Sequence, residues 1–261
     1  MEQVAETYIS NTTHGVVKPV QRIERKFFVF PKNIGFAYHL LRQVCRPDSR
    51  YPEEQVNSLY FDTPDLDQYI RSSSGEFRKD KVRIRWYGNI ERCRETIPVF
   101  LELKSRQGFA SSKQRQRLLV PAQNLELAHL GSGIVSKTTL INTISRFGYY
   151  PKKPLRPVIV ISYWRYRFTE ISTGVRVSLD YSMRSSMVAR ELGFGERELR
   201  LQGGVIEVKG PSMELPVTLR RIHLLNTDWS RFSKYSHCVD SHLAEPGTVA
   251  RLWPSGRIFQ S

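Results

Sequence analysis

"KVRIRWYG" at residues 81–88 and "FLELK" at residues 100–104 are the stretches from which the fold is read. Side chains alternate across a β-strand, so the first puts Lys81, Arg83 and Arg85 on one face and Val82, Ile84 and Trp86 on the other. The second sets Glu102 and Lys104 against Leu101 and Leu103. The same E-x-K spacing returns as Glu24 and Lys26 in "IERKFFVF" and as Glu207 and Lys209 in "GVIEVKG", while "GVRVSLDY" opposes Arg176, Ser178 and Asp180 to Val175, Val177 and Leu179. Three more segments add to the set, "VNSLYFD", "KQRQRLLV" and "PVIVISYWRYRF", and "FLELK" extends to "VFLELKSR". With turns or single helices between them, these eight runs predict a largely antiparallel sheet with helices outside, an α+β fold.

Helical spacing predicts four helices, in "NIGFAYHLLRQVC" with Asn33 as N-cap, "TPDLDQYI" with Thr63 as N-cap, "SKTTLINTISRF" and "ELPVTLRRIHLL". Residues 1–20 and 243–261 lack sustained periodicity and are read as tails around one domain at 21–242. No apolar run approaches the ~18 residues of a membrane-spanning helix. The three cysteines, Cys45, Cys93 and Cys238, have no disulfide or zinc spacing, and together these features predict a soluble cytoplasmic protein. The histidines likewise lack triad or zinc spacing.

The 261 residues carry 40 Lys and Arg against 25 Asp and Glu, a net charge of +15, which calls for a polyanionic partner. Cations facing one another across a sheet repel, so a face gathering Lys26, Arg83, Arg85, Lys104, Lys113, Arg165, Arg176 and Lys209 asks for an anion of polyphosphate size. Glutamates among them either pair with neighbouring cations or hold a hard divalent ion that bridges to phosphate. The alternation also fits an ordinary sheet with one solvated face.

The segments "ERKFFV", "VNSLYFDTPDLDQY", "KVRIRWYG", "FLELKSRQGF", "YWRYRF", "GVRVSLD", "VIEVKGP" and "RFSKYSH" occur in an order that resembles the VTC domain, the polyphosphate polymerase domain of the vacuolar transporter chaperone complex. That family is a branch of the triphosphate tunnel metalloenzymes. The resemblance implies an antiparallel eight-stranded tunnel barrel, with ATP and polyphosphate as its partners and a divalent metal, Mn2+ or Mg2+, as cofactor. Carried over by position, Arg83, Arg85, Lys104, Arg165, Arg176 and Lys209 would be catalytic, and Lys26, Lys113, Arg231 and Lys234 would bind substrate. Arg231 and Lys234 would stand near one tunnel mouth, and Glu207 would ligate the metal. Three functions stay open: ATP-dependent polyphosphate synthesis, triphosphate hydrolysis in the same fold with Glu24 or Glu102 activating water, and non-catalytic polyanion binding. No RNP-type or helix-turn-helix signature is present, so nucleic acid is not the expected partner.

Overall fold

The computed structural model describes residues 23–88, 95–108, 110–189, 198–227 and 232–244. In chain order the strands are β1 (Ile23–Val29), β2 (Cys45–Pro47), β3 (Glu53–Asp62), β4 (Arg78–Tyr87), β5 (Thr96–Gln107), β6 (Ala110–Pro121), β7 (Arg156–Glu170), β8 (Arg176–Met187), β9 (Glu198–Leu201) and β10 (Gly204–Gly210). The α-helices are α1 (Ile34–Val44), α2 (Asp67–Ser73), α3 (Ala122–Glu126), α4 (Lys137–Arg146) and α5 (Lys234–Leu243), with a 3-10 helix at Val217–Leu225.

The strands form one antiparallel sheet in the order β1-β10-β8-β7-β3-β4-β5-β6, with β2 added on β7 and β9 on β8. This is ten strands where eight were expected, because β2 and β9 have only three and four residues and are too short to display an alternation. Among the described residues hydrogen bonding does not close the sheet, and β1 and β6 are its edges. It curls nevertheless, since Lys104 on β5 reaches Glu24 on β1 at 2.9 Å.

The convex face carries two apolar layers. Ala37, Leu40, Leu41 and Val44 of α1, with Leu219, Ile222 and Leu225 of the 3-10 helix, bury Phe27, Val29, Ile206 and Val208. Leu125, Leu140 and Ile144 of α3 and α4 cover Val82, Ile84, Trp86, Leu101 and Leu103, with Ser136 capping α4 by accepting from the Thr139 amide at 3.1 Å. The opening alternation is thus realised residue for residue.

A third apolar cluster lies on the concave face and was not foreseen. Tyr60, Ile159, Ile161, Tyr163 and Val205 pack there against Tyr235, Cys238 and Val239 of α5, which fills one end of the curled sheet. Tyr235 stacks on Tyr60 with ring centroids 4.9 Å apart and donates to Asp62 at 2.6 Å.

Two expected caps are displaced. Asn33 makes no cap bond, its amide donating instead to the Leu225 carbonyl at 3.5 Å. α2 starts at Asp67, not at Pro64, because residues 63–66 first form a turn closed by Leu66 N–H donating to Thr63 O. Thr63 Oγ1 then accepts from Asp67 N, while the buried Asp62 carboxylate accepts from the amides of Gln68 and Tyr69. Cys45 and Cys238 are free and buried, while Cys93 lies outside the described residues. Among the described residues no helix is long and apolar enough to cross a membrane.

Candidate functional site: a basic concave face

Cross-strand partners share a face, so the register assembles the site strand by strand. Lys81 stands opposite Lys104, which stands opposite Lys113; Arg83 faces Glu102, which faces Arg115. On the other half of the sheet Lys26 opposes Glu207, Glu24 opposes Lys209, and Arg165 opposes Asp180. Lys234 enters from the first turn of α5. Ten cations, Lys26, Lys81, Arg83, Arg85, Lys104, Lys113, Arg115, Arg165, Lys209 and Lys234, here meet four carboxylates, Glu24, Glu102, Asp180 and Glu207.

Two webs hold the acids. Glu102, fully buried, accepts from Arg83 at 2.7 and 2.9 Å, with Lys113 at 3.3 Å and Arg115 at 3.5 Å. Burial alone would push its carboxyl up, but Arg83, Arg85 and Lys113 hold it far below the usual carboxylate range. In the second web Asp180 takes a two-point bond from Arg165 at 2.6 and 2.7 Å and pairs with Lys234 at 2.6 Å. Glu207 receives Lys234 at 2.9 Å and Arg165 at 3.2 Å, with Lys26 and Lys209 at 4.0 and 3.8 Å. Burial opposes its ionisation and Lys234 and Arg165 overcome it, leaving Glu207 well below its ordinary value.

The remaining cations are crowded. Lys81 donates to Ser233 Oγ at 2.6 Å and, among the described residues, pairs with no carboxylate. Burial first, and then Lys26, Lys104, Lys79 and Arg83, depress its ammonium well below the ordinary lysine value. Lys26 donates to the Phe232 carbonyl at 2.9 Å, and burial lowers it to about 8 despite Glu207. Arg85 is buried and donates to Ser58 Oγ at 3.2 Å and Tyr163 OH at 3.3 Å. Uncompensated positive charge in a partly dry trough can attract a multivalent anion.

Of the residues predicted from sequence, Lys26, Arg83, Arg85, Lys104, Lys113, Arg165, Lys209, Lys234 and Glu207 come together here. Arg176 is exposed at the start of β8, in register with Lys209. Lys234 is buried between Asp180 and Glu207 and so does not stand at a mouth. Arg231 lies outside the described residues. Lys81, Arg115 and Asp180 were missed as site residues, although the period-two pattern had already put Lys81 beside Arg83 and Asp180 beside Arg176.

A curled antiparallel sheet with a cation-lined concave face is the arrangement that comparison with known proteins places in a family. The VTC domain model matches residues 21–243, and the chain belongs to the VTC domain family. The vacuolar transporter chaperone complex subunit 4 of Schizosaccharomyces pombe is 29% identical over 87 residues, a match that covers 31% of this chain and only 12% of that protein. Among solved structures, a candidate adenylate cyclase of Bacillus halodurans superposes with a TM-score of 0.50 at 18% identity, over 82% of this chain and 94% of that one. That likeness establishes the shared fold. A Hippeastrum candidate adenylyl cyclase, reported with a dominant triphosphatase activity, gives a TM-score of 0.43 at 18% identity over 84% of this chain and 95% of that one.

Proposed function

We propose that the concave face binds ATP and inorganic polyphosphate and acts as an ATP-dependent polyphosphate polymerase. The observation that carries the reading is the excess of ten cations over four carboxylates, with Lys81 left without an acid partner among the described residues. A terminal phosphate oxygen of the acceptor forms a bond to the γ-phosphorus as the bond from that phosphorus to the β,γ-bridging oxygen breaks, and ADP leaves. The acceptor oxygen is already anionic and needs no general base. Arg83, Arg85 and Lys104 hold the triphosphate, and Arg165, locked by Asp180, offers a charge that does not have to reorganise during transfer. The unpaired edges of β1 and β6, with Lys104 and Lys113 beside them, give the acceptor a route to the γ-phosphoryl that avoids α5.

Among the described residues no group of three or more His, Cys, Asp and Glu side chains could hold a metal ion by itself. The donor chemistry fits Mg2+ or Mn2+ in another way, since such ions bind through one or two carboxylates completed by substrate phosphates. Glu207, beside the Asp180 that locks Arg165, would supply that carboxylate once phosphate has drawn Lys234 towards itself. A bound divalent ion would neutralise charge on the phosphate oxygens. Glu207→Gln keeps the shape and removes the charge, and the metal concentration giving half-maximal turnover should rise about tenfold or more. Turnover equal to the parent across a metal titration would remove Glu207 from this role.

Hydrolysis of a nucleoside triphosphate or tripolyphosphate is the second reading. It is favoured by α5, which fills one end of the concave face and stands in the way of a long acceptor there. Incubation with ATP and Mn2+, followed by a gel for polyphosphate and an assay for free phosphate, separates the two. The polymerase reading expects a ladder of chains, and orthophosphate alone would replace it with hydrolysis.

A further inference from the structure

Two aromatic rings on the concave face are not used by the phosphate site. Tyr87 follows Arg85 by two residues on β4, and Phe100 is the cross-strand partner of Arg85 on β5. Their rings meet edge to face with centroids 5.9 Å apart, and both are half-buried. The Arg115 guanidinium lies 3.4 Å over Phe100, and Arg167, anchored by Glu54 at 2.8 Å, lies 5.7 Å from the Tyr87 centroid. Tyr60 and Tyr163 of this face are buried in the apolar cluster under α5, and Tyr87 packs against that cluster while staying half-buried itself. Tyr87 and Phe100 form a half-buried ledge of π-faces and guanidinium planes beside that cluster, the kind of surface on which nucleobases stack.

The fold also decides which end of a nucleotide reaches it. α5 fills the far end of the trough, where Lys81 and Lys26 meet Ser233 and the Phe232 carbonyl. A triphosphate held on Arg83 and Arg85 can extend a bulky nucleoside only away from that helix. Two residues along a strand span about 6.7 Å, close to one ribose step. Glu54 beside Arg167 makes this end unfavourable to further phosphate. We propose that Tyr87 and Phe100 form a base-stacking subsite that orients a nucleoside triphosphate with its γ-phosphoryl towards α5, a reading that rests on the phosphate site proposed above. Stacking reads no hydrogen-bond pattern, so the ligand class is nucleoside triphosphates generally, with purines held best.

The test is calorimetric titration of ATP and of inorganic tripolyphosphate into the parent, Tyr87→Leu, Phe100→Leu and the double variant, with Arg83→Ala as control. The leucines keep apolar volume and remove the π-face, and melting curves identify the folded variants. ATP affinity should fall about 5- to 150-fold, the range that one base–aromatic stack carries, while tripolyphosphate affinity stays within twofold of the parent. Equal losses for both ligands, or unchanged ATP affinity, would overturn the ledge and leave the phosphate site standing. A parent that binds neither ligand, or an Arg83→Ala variant that binds both as the parent does, would overturn the phosphate site and the ledge with it.

Discussion

Asp180→Ala should melt about 6 to 20 °C below the parent, the largest stability loss of any single change in the concave face. Asp180 is fully buried and takes both ends of the Arg165 fork as well as Lys234. Removing it leaves Arg165 and Lys234, among the described residues, with Glu207 to share. Breaking a buried pair from one side costs about 3 to 5 kcal/mol, and each kcal/mol moves the midpoint of a domain this size by about 2 to 4 °C. Phosphate should partly restore the midpoint, because it supplies negative charge where the carboxylate was. A thermal scan of the variant with and without tripolyphosphate checks both statements. A shift below about 2 °C would show that Arg165 and Lys234 do not depend on Asp180.

Lys81→Met should act in the opposite sense on stability while damaging binding. Its ammonium is held against four other cations, Lys26, Lys104, Lys79 and Arg83, and donates to the Ser233 hydroxyl. Methionine keeps the unbranched stem and discards the charge, so the empty protein should melt higher. The same change removes one charge-assisted bond to phosphate, worth about 1.5 to 3 kcal/mol, so affinity for tripolyphosphate should fall about 10- to 150-fold. Raised stability with lost affinity is the signature of a residue kept for its ligand. A lower midpoint with intact binding would place Lys81 in a structural role. Arg83 differs, because it pairs with buried Glu102, and its removal should cost stability as well as affinity.

The strand faces were legible because period two reports directly which side chains share a surface, and "KVRIRWYG" folds as that pattern requires. α5 was not legible as the element that fills the trough. "KYSHCVDSHL" has a modest apolar face, and its insertion is decided by partners far away in sequence, Tyr60, Ile159 and Met183. A signal was present in "PVIVIS", whose unbroken apolar run marks a strand buried on both sides, in contrast to the half-charged strands around it. The site cations could be found from alternation and resemblance, but their pairing could not. Whether Lys234 stands at a mouth or between two acids depends on where a helix docks, and Lys81 gains its importance from the lysines that β1 and β5 bring towards it.

Calorimetric titration of ATP at pH 8, in two buffers of different ionisation enthalpy, tests most directly the claim that the concave face holds strained cations for phosphate. Lys26 titrates near 8 in the empty protein and Lys81 lies well below its ordinary value, so part of this charge is missing at that pH. In an unfolded chain these lysines titrate near their ordinary value, so the unfolded state binds more protons in this range and stability rises with pH from about 8 towards 10.5. Bound phosphate favours the charged ammonium and reverses that shift. The account predicts that ATP binding takes up protons at pH 8, seen as a buffer-dependent heat, and that affinity falls as the pH is raised further. Binding with the same heat in both buffers and no loss of affinity at higher pH would contradict it.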